Sequence, residues 1–258
     1  MSEYQFLKWE THDDGRIVRI SLNRPDQRNA VNAAIANGIG AALDRLDDDD
    51  DLRVGILTGA GKGFSAGMDL KAFVAGESMF VEHRGFAGIV QGPPRKPIIA
   101  AVEGFAVAGG FEIALACDLI VASRGTKLGI PEVKRSLVAA GGALLRLPSR
   151  IPYHVAMEMT LTGEPITTER AAEHGLVNRL TEPGEAVAAA RELAAKIAVN
   201  GPLALAASKR ILVEAPGWPA DEAWRRQAEI TDPVFGSQDA REGATAFAEK
   251  RDPVWRGL

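Results

Sequence analysis

The sequence predicts an α/β fold in which buried strands alternate with helices. Three short apolar runs support this prediction, at residues 54–61 (VGILTGAG), 96–110 (KPIIAAVEGFAVAGG) and 117–125 (CDLIVASRG). Continuous apolar runs of this length are typical of strands that are covered on both faces, as in parallel sheets. Other segments between and around them carry apolar residues at helical spacing. Strands and helices that alternate along the chain indicate the α/β class.

The N-terminal half contains the elements in this order. Residues 15–25 (GRIVRISLNRP) alternate apolar and polar side chains and end at a proline, which predicts a strand. Residues 31–48 (VNAAIANGIGAALDRLDD) have helical spacing, with Asn32 as the predicted N-cap. The three apolar runs then follow as buried strands. Between the last two, residues 109–118 (GGFEIALACD) are predicted to form a helix that begins at the two glycines.

Helical patterns dominate from about Ile151 to the C-terminus. They are interrupted by one short predicted strand in GLVNRL, residues 175–180, and the last three follow a Gly-Pro break at 201–202. We therefore expect an α/β core over residues 1–198 and a C-terminal helical region over residues 199–258.

Composition excludes several classes of protein. The 258 residues are 46% apolar and 25% charged with a net charge of −4, which fits a globular chain and disfavours nucleic-acid or anionic-membrane binding. The single cysteine, Cys117, rules out a disulfide framework, and the four histidines lack metal-ligand spacing. The N-terminus has no signal pattern, and no apolar run reaches the roughly 18 residues of a membrane span. We expect a soluble, cytoplasmic protein with no metal site.

The glycine-rich segment TGAGKGF, residues 58–64, does not match the nucleotide-binding motifs. The phosphate-binding loop pattern needs Ser or Thr after Lys62, where Gly63 stands. The dinucleotide fingerprint needs glycine where Phe64 stands. Neither nucleotide site is predicted.

Two segments rich in small residues, 61–70 and 104–112, each follow a predicted buried strand. Backbone N–H groups at strand-to-helix junctions lack partners, and glycine or alanine lets a ligand approach them closely. Two such groups aimed at one point would form an oxyanion hole, helped by the dipole of the helix that begins near Gly109. Alternatively, these residues only permit tight turns and close strand packing. The residues alone leave both interpretations open.

Two carboxylates accompany these segments. Glu112 lies in an otherwise apolar stretch three residues after Gly109, and Glu132 follows Pro131. If both face one pocket, burial and mutual repulsion would keep one of them protonated, so that they could divide acid and base work. The alternative is that they are unrelated, one in a helix and one in a turn, and the spacing alone favours that alternative.

Five stretches together resemble the crotonase, or enoyl-CoA hydratase/isomerase, superfamily, over nearly the whole chain. They are NRPDQRNAVN (23–32), ILTGAGKGFSAGMDL (56–70), KPIIAAVEGFAVAGGFEIALACDLIVAS (96–123), LGIPEV (128–133) and LTGEPITTERAAEHGLVNRL (161–180). The resemblance implies a spiral of ββα units followed by C-terminal helices that take part in trimerisation and cover the active site. It also implies acyl-CoA thioester substrates, a homotrimer or dimer of trimers, and no cofactor, since coenzyme A is part of the substrate.

The resemblance assigns roles to the two segments and the two carboxylates. The backbone N–H groups of Ala66 and Gly109 would bind the thioester oxygen. Glu112 would act as base on water and Glu132 would handle the proton at the α-carbon, which implies an enoyl-CoA hydratase, a hydro-lyase. A dehydratase like carnitinyl-CoA dehydratase or an enoyl-CoA isomerase is the alternative within the family. A non-catalytic binder of acyl-CoA or RNA is the alternative outside it, and the acidic net charge disfavours RNA.

The resemblance also implies contacts to coenzyme A. They are carried over to Arg28, Ala30, Met68, Asp69, Leu70, Phe247 and Lys250, the last two reaching the adenine end, in some relatives across a subunit boundary. From the residues themselves, Asp69 is better explained as a helix cap, and Arg28 as either a phosphate contact or an exposed loop side chain. The chain departs from the hydratase pattern after Glu132, where the loop lacks a proline, and at Ala108, where many hydratases have glycine. The acyl group is therefore left open.

Overall fold

The structure is a computed structural model that describes residues 5–13 and 15–258. Residues 1–4, part of the stretch without a signal pattern, lie outside the described residues. In chain order the strands are β1 (Leu7–His12), β2 (Ile17–Leu22), β3 (Val54–Gly59), β4 (Phe80–Val81), β5 (Gly85–Phe86), β6 (Ile98–Val102), β7 (Phe105–Val107), β8 (Leu119–Ser123), β9 (Lys127–Gly129), β10 (Ile166–Thr167) and β11 (Arg179–Thr181).

Helices occupy much of the remaining chain. They are α1 (Ala33–Asp48), α2 (Leu70–Val74), α3 (Gly109–Ala116), α4 (Ala143–Arg150), α5 (Tyr153–Thr162), α6 (Thr168–Glu173), α7 (Ala186–Ala198), α8 (Pro202–Glu214), α9 (Ala223–Phe235) and α10 (Gln238–Glu249), with short 3-10 helices at Pro25–Gln27, Pro131–Arg135 and Ala215–Gly217. The predicted N-cap is confirmed, because the Asn32 side chain accepts a hydrogen bond from the Ile35 N–H.

In the described part of the chain, the main sheet has six strands in the order β1-β2-β3-β6-β8-β11. Only the β1–β2 pair is antiparallel, and the pairs from β2 to β11 are parallel. Its central strands are covered on both faces, as their apolar runs predict. One face packs on α1 and α3 within the larger core cluster. The α/β prediction is confirmed.

The other face of the main sheet packs on α7. Alternate strand residues, among them Val54, Ile56 and Ile99, meet a stripe of alanines on α7 at positions 186, 190, 194 and 198. Spacing of four residues places the alanines on one face of the helix. Because alanine has only a methyl side chain, α7 can lie close to the sheet.

The run at residues 96–110 forms two strands in two sheets, where the sequence suggests one. The chain turns at Gly104, which has φ +63°, and a Cβ there would lie 2.0 Å from the Lys62 carbonyl oxygen. Strand β6 therefore stays in the main sheet, and β7 enters a smaller sheet of order β10-β9-β7. The chain passes from the larger to the smaller sheet again between β8 and β9, which gives the spiral of repeated units.

Every regular element after Ala198 is helical. Among the described residues, none of the helices is long and apolar enough to span a membrane. The division at residue 198 and the roles of the last helices in trimerisation and site covering stay predictions.

Candidate active site

The first small-residue segment is held in place by Asn29. Its amide Nδ2 donates to the carbonyl oxygens of Ala60 and Gly63, each at 2.9 Å. Its own carbonyl accepts the Ser65 hydroxyl at 2.8 Å. Arg28 and Asn29 both have φ 54°, a left-handed conformation that is uncommon for non-glycine residues, although asparagine adopts it more readily than most. This turn fixes the Arg28 carbonyl beside residue 66.

The prediction that Ala66 supplies an oxyanion donor is wrong for this geometry. The Ala66 N–H donates to the Arg28 carbonyl oxygen at 3.0 Å. A backbone N–H has one hydrogen to donate, so Ala66 cannot also bind a ligand oxygen at full strength. Met68 lies two residues further along. Its N–H makes no hydrogen bond within the described residues, although its neighbours Gly67 and Asp69 are tied to Val31 through the Gly67 carbonyl and the Asp69 N–H.

The second donor segment lies directly against the first. Ser65 pairs with Ala106 as a parallel bridge, and the Val107 N–H donates to the Ser65 carbonyl at 3.1 Å. A Cβ on Gly67 would be only 2.7 Å from the Gly109 nitrogen, so the two segments are in contact. Gly109 is the first residue of α3, and its N–H has no partner in the described part of the chain. The structure therefore places Met68 and Gly109, whose N–H groups lack partners among the described residues, in adjacent backbone segments that line one cavity.

Ala108 connects β7 to α3 in a strained conformation. Its φ of 52° and ψ of −134° lie in a region that glycine adopts readily and alanine does not. Its N–H is anchored to the Gly129 carbonyl at 2.9 Å. Such strain, of about 1–3 kcal/mol, persists where the surroundings fix the backbone, and here it orients the following N–H of Gly109.

A cavity of about 470 Å³ opens in front of these donors. Its wall contains backbone and small side chains from 107–109, the side chains of both predicted carboxylates, and several apolar groups. The apolar wall is formed by Met68, Leu70, Phe73, Phe80, Phe86, Leu137 and Val138. The structure thus places Glu112 and Glu132 in one cavity, although the sequence spacing favours unrelated positions.

Glu112 lies in the first turn of α3 and is only 3% exposed. Its Oε1 accepts the Ala143 N–H at 3.2 Å. Burial raises the pKa of Glu112, while the backbone N–H groups of Ala143 and Gly141 and the charge of Arg146 counteract that rise. Gly141 has to be glycine for this arrangement, because a Cβ there would lie 2.4 Å from Glu112 Oε2.

Glu132 lies in the 3-10 helix Pro131–Arg135, and its carboxylate is less well hydrogen-bonded than that of Glu112. Its buried Oε2 has no hydrogen-bond partner among the described residues. Burial raises the pKa of Glu132, its own backbone N–H counteracts the rise, and the charge of Glu112 adds to it. The two carboxyl groups therefore interact electrostatically, and Glu112 has the larger number of groups that favour its ionised form.

Arg146 is a component of the site that the sequence did not reveal. It is half-buried on α4, and its guanidinium donates to the carbonyl oxygens of Gly141 and Val90. A Cβ on Gly142 would lie 2.2 Å from Arg146 Nη1. The two adjacent glycines thus separate Glu112 from Arg146. No sequence signal marks this residue, because only the turn of the chain at 141–142 brings α4 behind α3.

The predicted coenzyme A contacts divide into two groups. Arg28, Met68 and Leu70 line the cavity, as Ala66 also does. Ala30, Asp69, Phe247 and Lys250 do not line it within one chain. The Asp69 carboxylate instead accepts the N–H groups of Lys71 and Ala72, as the capping interpretation expects, and the Arg24 guanidinium at 2.6 Å.

Phe247 and Lys250 lie at the end of α10 and at its C-cap, and the Phe247 side chain is 88% exposed. Their contact with the adenine end stays a prediction.

Comparison with known proteins shows the family of the chain. The model of the enoyl-CoA hydratase/isomerase family matches residues 12–257. The chain belongs to this family. The crystal structure of enoyl-CoA hydratase from Mycobacterium tuberculosis H37Rv is 57% identical with a TM-score of 0.95, over 98% of this chain and 99% of that one.

Other members of the family differ in the reaction that they are named for. The carnitinyl-CoA dehydratase of Salmonella typhimurium is 42% identical over 95% of this chain and 96% of its own length. The crystal structure of carnitinyl-CoA hydratase from Mycobacterium avium is 41% identical, covers 98% of this chain and 99% of that one, and has a TM-score of 0.78. The family and the crotonase fold are therefore established. The names of the relatives differ in the acyl group of the substrate, so the residues that line the cavity are the guide to the acyl group of this enzyme.

Proposed function

We propose that this enzyme is an enoyl-CoA hydratase, a hydro-lyase that adds water reversibly across the α,β double bond of a 2-enoyl-CoA thioester. The observation that carries the proposal is the position of both carboxylates in one cavity beside two converging backbone donors. An acyl-CoA substrate fits the family, and Met68 N–H, not Ala66 N–H, is the proposed partner of Gly109 N–H. The same two donors serve other reactions of acyl-CoA thioesters, so the second carboxylate is what favours hydration.

The electrostatics support a division of labour between the glutamates. Glu112 accepts the Ala143 N–H, and the Gly141 N–H and the charge of Arg146 also favour its ionised form against burial, so we assign the carboxylate role to it. Glu132 has an unpartnered oxygen and faces the charge of Glu112, so it is the group that is better held protonated. Two carboxyl groups whose surroundings separate their pKa values form an acid–base pair.

In the hydration direction, Glu112 removes a proton from water and the water oxygen bonds to the β-carbon. The electron pair of the double bond moves toward the thioester, and the negative charge that develops on its oxygen is stabilised by the N–H groups of Met68 and Gly109. Glu132 then gives its proton to the α-carbon. Transfer of the proton on Glu112 to Glu132 restores the starting state, so that one water has been added in total.

The test is hydration of crotonyl-CoA and longer 2-enoyl-CoA substrates, followed by mass spectrometry in ¹⁸O-labelled water. We expect a product heavier by one labelled water, and a loss of about 10²–10⁴-fold in kcat/KM for Glu112→Gln and for Glu132→Gln. Glu173→Gln, an exposed glutamate on α6, is the control with unchanged rate.

A product of unchanged mass would instead indicate an isomerase. Tight binding of acyl-CoA without turnover over the whole series would indicate a binder, and unchanged rates in both variants would refute the two-carboxylate chemistry.

We also propose that the enzyme is a homotrimer or a dimer of trimers. Large apolar side chains of the C-terminal helices, Leu212, Trp224, Phe235 and Phe247, are each at least 76% exposed in one chain. Exposed apolar area of this kind is typical of an interface. In such an assembly Phe247 and Lys250 could reach a neighbouring cavity. Light scattering of the purified protein gives the number of copies, and a monomer at micromolar concentration would contradict the proposal.

Cytoplasmic location and the absence of a cofactor also stay predictions.

A further inference from the structure

Four charged side chains line the cavity: Arg28, Glu112, Glu132 and Arg135. The proposed function uses the two glutamates for proton transfer. Arg28 lies beside the donor segment, since its carbonyl binds the Ala66 N–H, and it is the position expected to meet coenzyme A. Arg135 has no role in the proposed reaction. Its side chain makes neither a hydrogen bond nor an ion pair with any residue in the described part of the chain.

The 3-10 helix Pro131–Arg135 directs Arg135 toward the cavity. A 3-10 helix has three residues per turn, so side chains three positions apart lie on the same side. Arg135 is three residues after Glu132, and both line the cavity. Val133 and Lys134 lie on the other side, and their side chains pack beside Gly163 at the end of α5. Lys134 is also ion-paired with Glu164.

The surroundings of Arg135 are mostly apolar. Leu137 and Val138 follow it on the same wall, and Phe73 and Phe80 also line the cavity. Arg135 is exposed to solvent at the cavity wall, and an acyl group bound there would cover part of its guanidinium. A cation that loses water without gaining a partner is unfavourable, whereas a carboxylate can accept two parallel hydrogen bonds from arginine.

We propose that Arg135 determines acyl specificity and that the preferred substrates are 2-enoyl-CoA thioesters whose acyl chain carries a carboxylate beyond the double bond. This inference rests on the proposed function. A quaternary ammonium group, which a carnitinyl substrate carries, would instead meet a like charge at Arg135.

The test uses three 2-enoyl-CoA substrates of similar length, with a terminal carboxylate, a terminal methyl group, and the trimethylammonium group of crotonobetainyl-CoA. The measured quantity is the ratio of kcat/KM between the carboxylate and the methyl substrate. We expect Arg135→Gln to lower this ratio about tenfold or more, mostly through KM. We expect Arg135→Glu to reverse the order of the carboxylate and ammonium substrates. The matched control is Lys134→Gln, a neighbouring cation that faces Glu164, for which the ratio stays the same.

Equal loss for all three substrates in Arg135→Gln would overturn the inference, since it would mean that Arg135 contacts coenzyme A or holds the loop. An unchanged ratio would overturn it as well. If the wild-type enzyme turns over none of the three, the proposed hydration fails. The dissociation constants of the same thioesters then decide the inference separately, because a selectivity that depends on residue 135 remains measurable by calorimetry.

Discussion

The contact between Gly67 and Gly109 gives the sharpest prediction for the oxyanion hole. Gly67 has φ +88°, and a Cβ there would lie 2.7 Å from the Gly109 nitrogen. Since ordinary contact begins near 3.4 Å, the two segments would have to separate by about 0.7 Å in Gly67→Ala. An N–H···O hydrogen bond of about 2.9 Å would then approach 3.6 Å, where it is no longer a hydrogen bond. Loss of one donor of this kind lowers kcat by roughly 10²–10³-fold.

The assay compares Gly67→Ala with Gly76→Ala in crotonyl-CoA hydration and in thermal unfolding. Gly76 has φ +83° and no atom within 4 Å of an added Cβ, so it shares the backbone strain without the clash. The left-handed backbone should cost each variant about 1 kcal/mol of stability, a fall of about 2–4 °C in Tm, and the clash should add to this loss in Gly67→Ala. Only Gly67→Ala should lose activity. Folded Gly67→Ala with a rate within about threefold of Gly76→Ala would refute the proposed donor geometry.

Three further predictions concern the strain and electrostatics of the site. Ala108→Gly should raise stability by about 1 kcal/mol, measured by urea unfolding, because it relieves the unfavourable backbone at φ 52°; a loss of stability would show that the strain is absent. Glu132→Gln should raise Tm, and the gain should grow with pH. The pKa of Glu132 is raised in the folded state, so its ionised form destabilises the fold. This destabilisation is absent at pH values below the ordinary pKa of glutamate and complete above the raised pKa of the folded state. Equal gains in Tm at pH 4 and pH 8 would contradict this reasoning. Arg146→Gln should move the acid limb of the kcat/KM profile to higher pH, because its charge is one of the groups that lower the pKa of Glu112 against burial. Arg146→Lys should return the acid limb most of the way to its wild-type pH. An equal loss of kcat/KM at every pH would indicate that Arg146 has only a structural role.

Local patterns in the sequence predict the main elements well. The apolar runs at β3, β6 and β8, the cap at Asn32, and the start of α3 at the glycines depend on neighbours within a few residues, which the sequence displays directly. The run at 96–110 does not show by its local pattern that it divides into two strands. The turn at Gly104 is required by its approach to Lys62, more than forty positions earlier, and such a contact leaves no trace in local periodicity.

In the active site, too, the sequence shows which residues are present, and long-range contacts decide how they are arranged. The sequence by itself determined that two small-residue segments and two glutamates are present, and the resemblance along the chain assigned them to one chemistry. Only the tertiary structure decided which N–H groups are free. The Ala66 N–H is hydrogen-bonded to the Arg28 carbonyl oxygen, because the turn at Asn29 fixes that carbonyl beside residue 66. It places no carbonyl beside the Met68 N–H. The roles of Arg135 and Arg146 also depend on the tertiary structure, because the environment of each includes groups that lie far away in the chain, Phe73 and Phe80 for Arg135 and Val90 and Glu112 for Arg146.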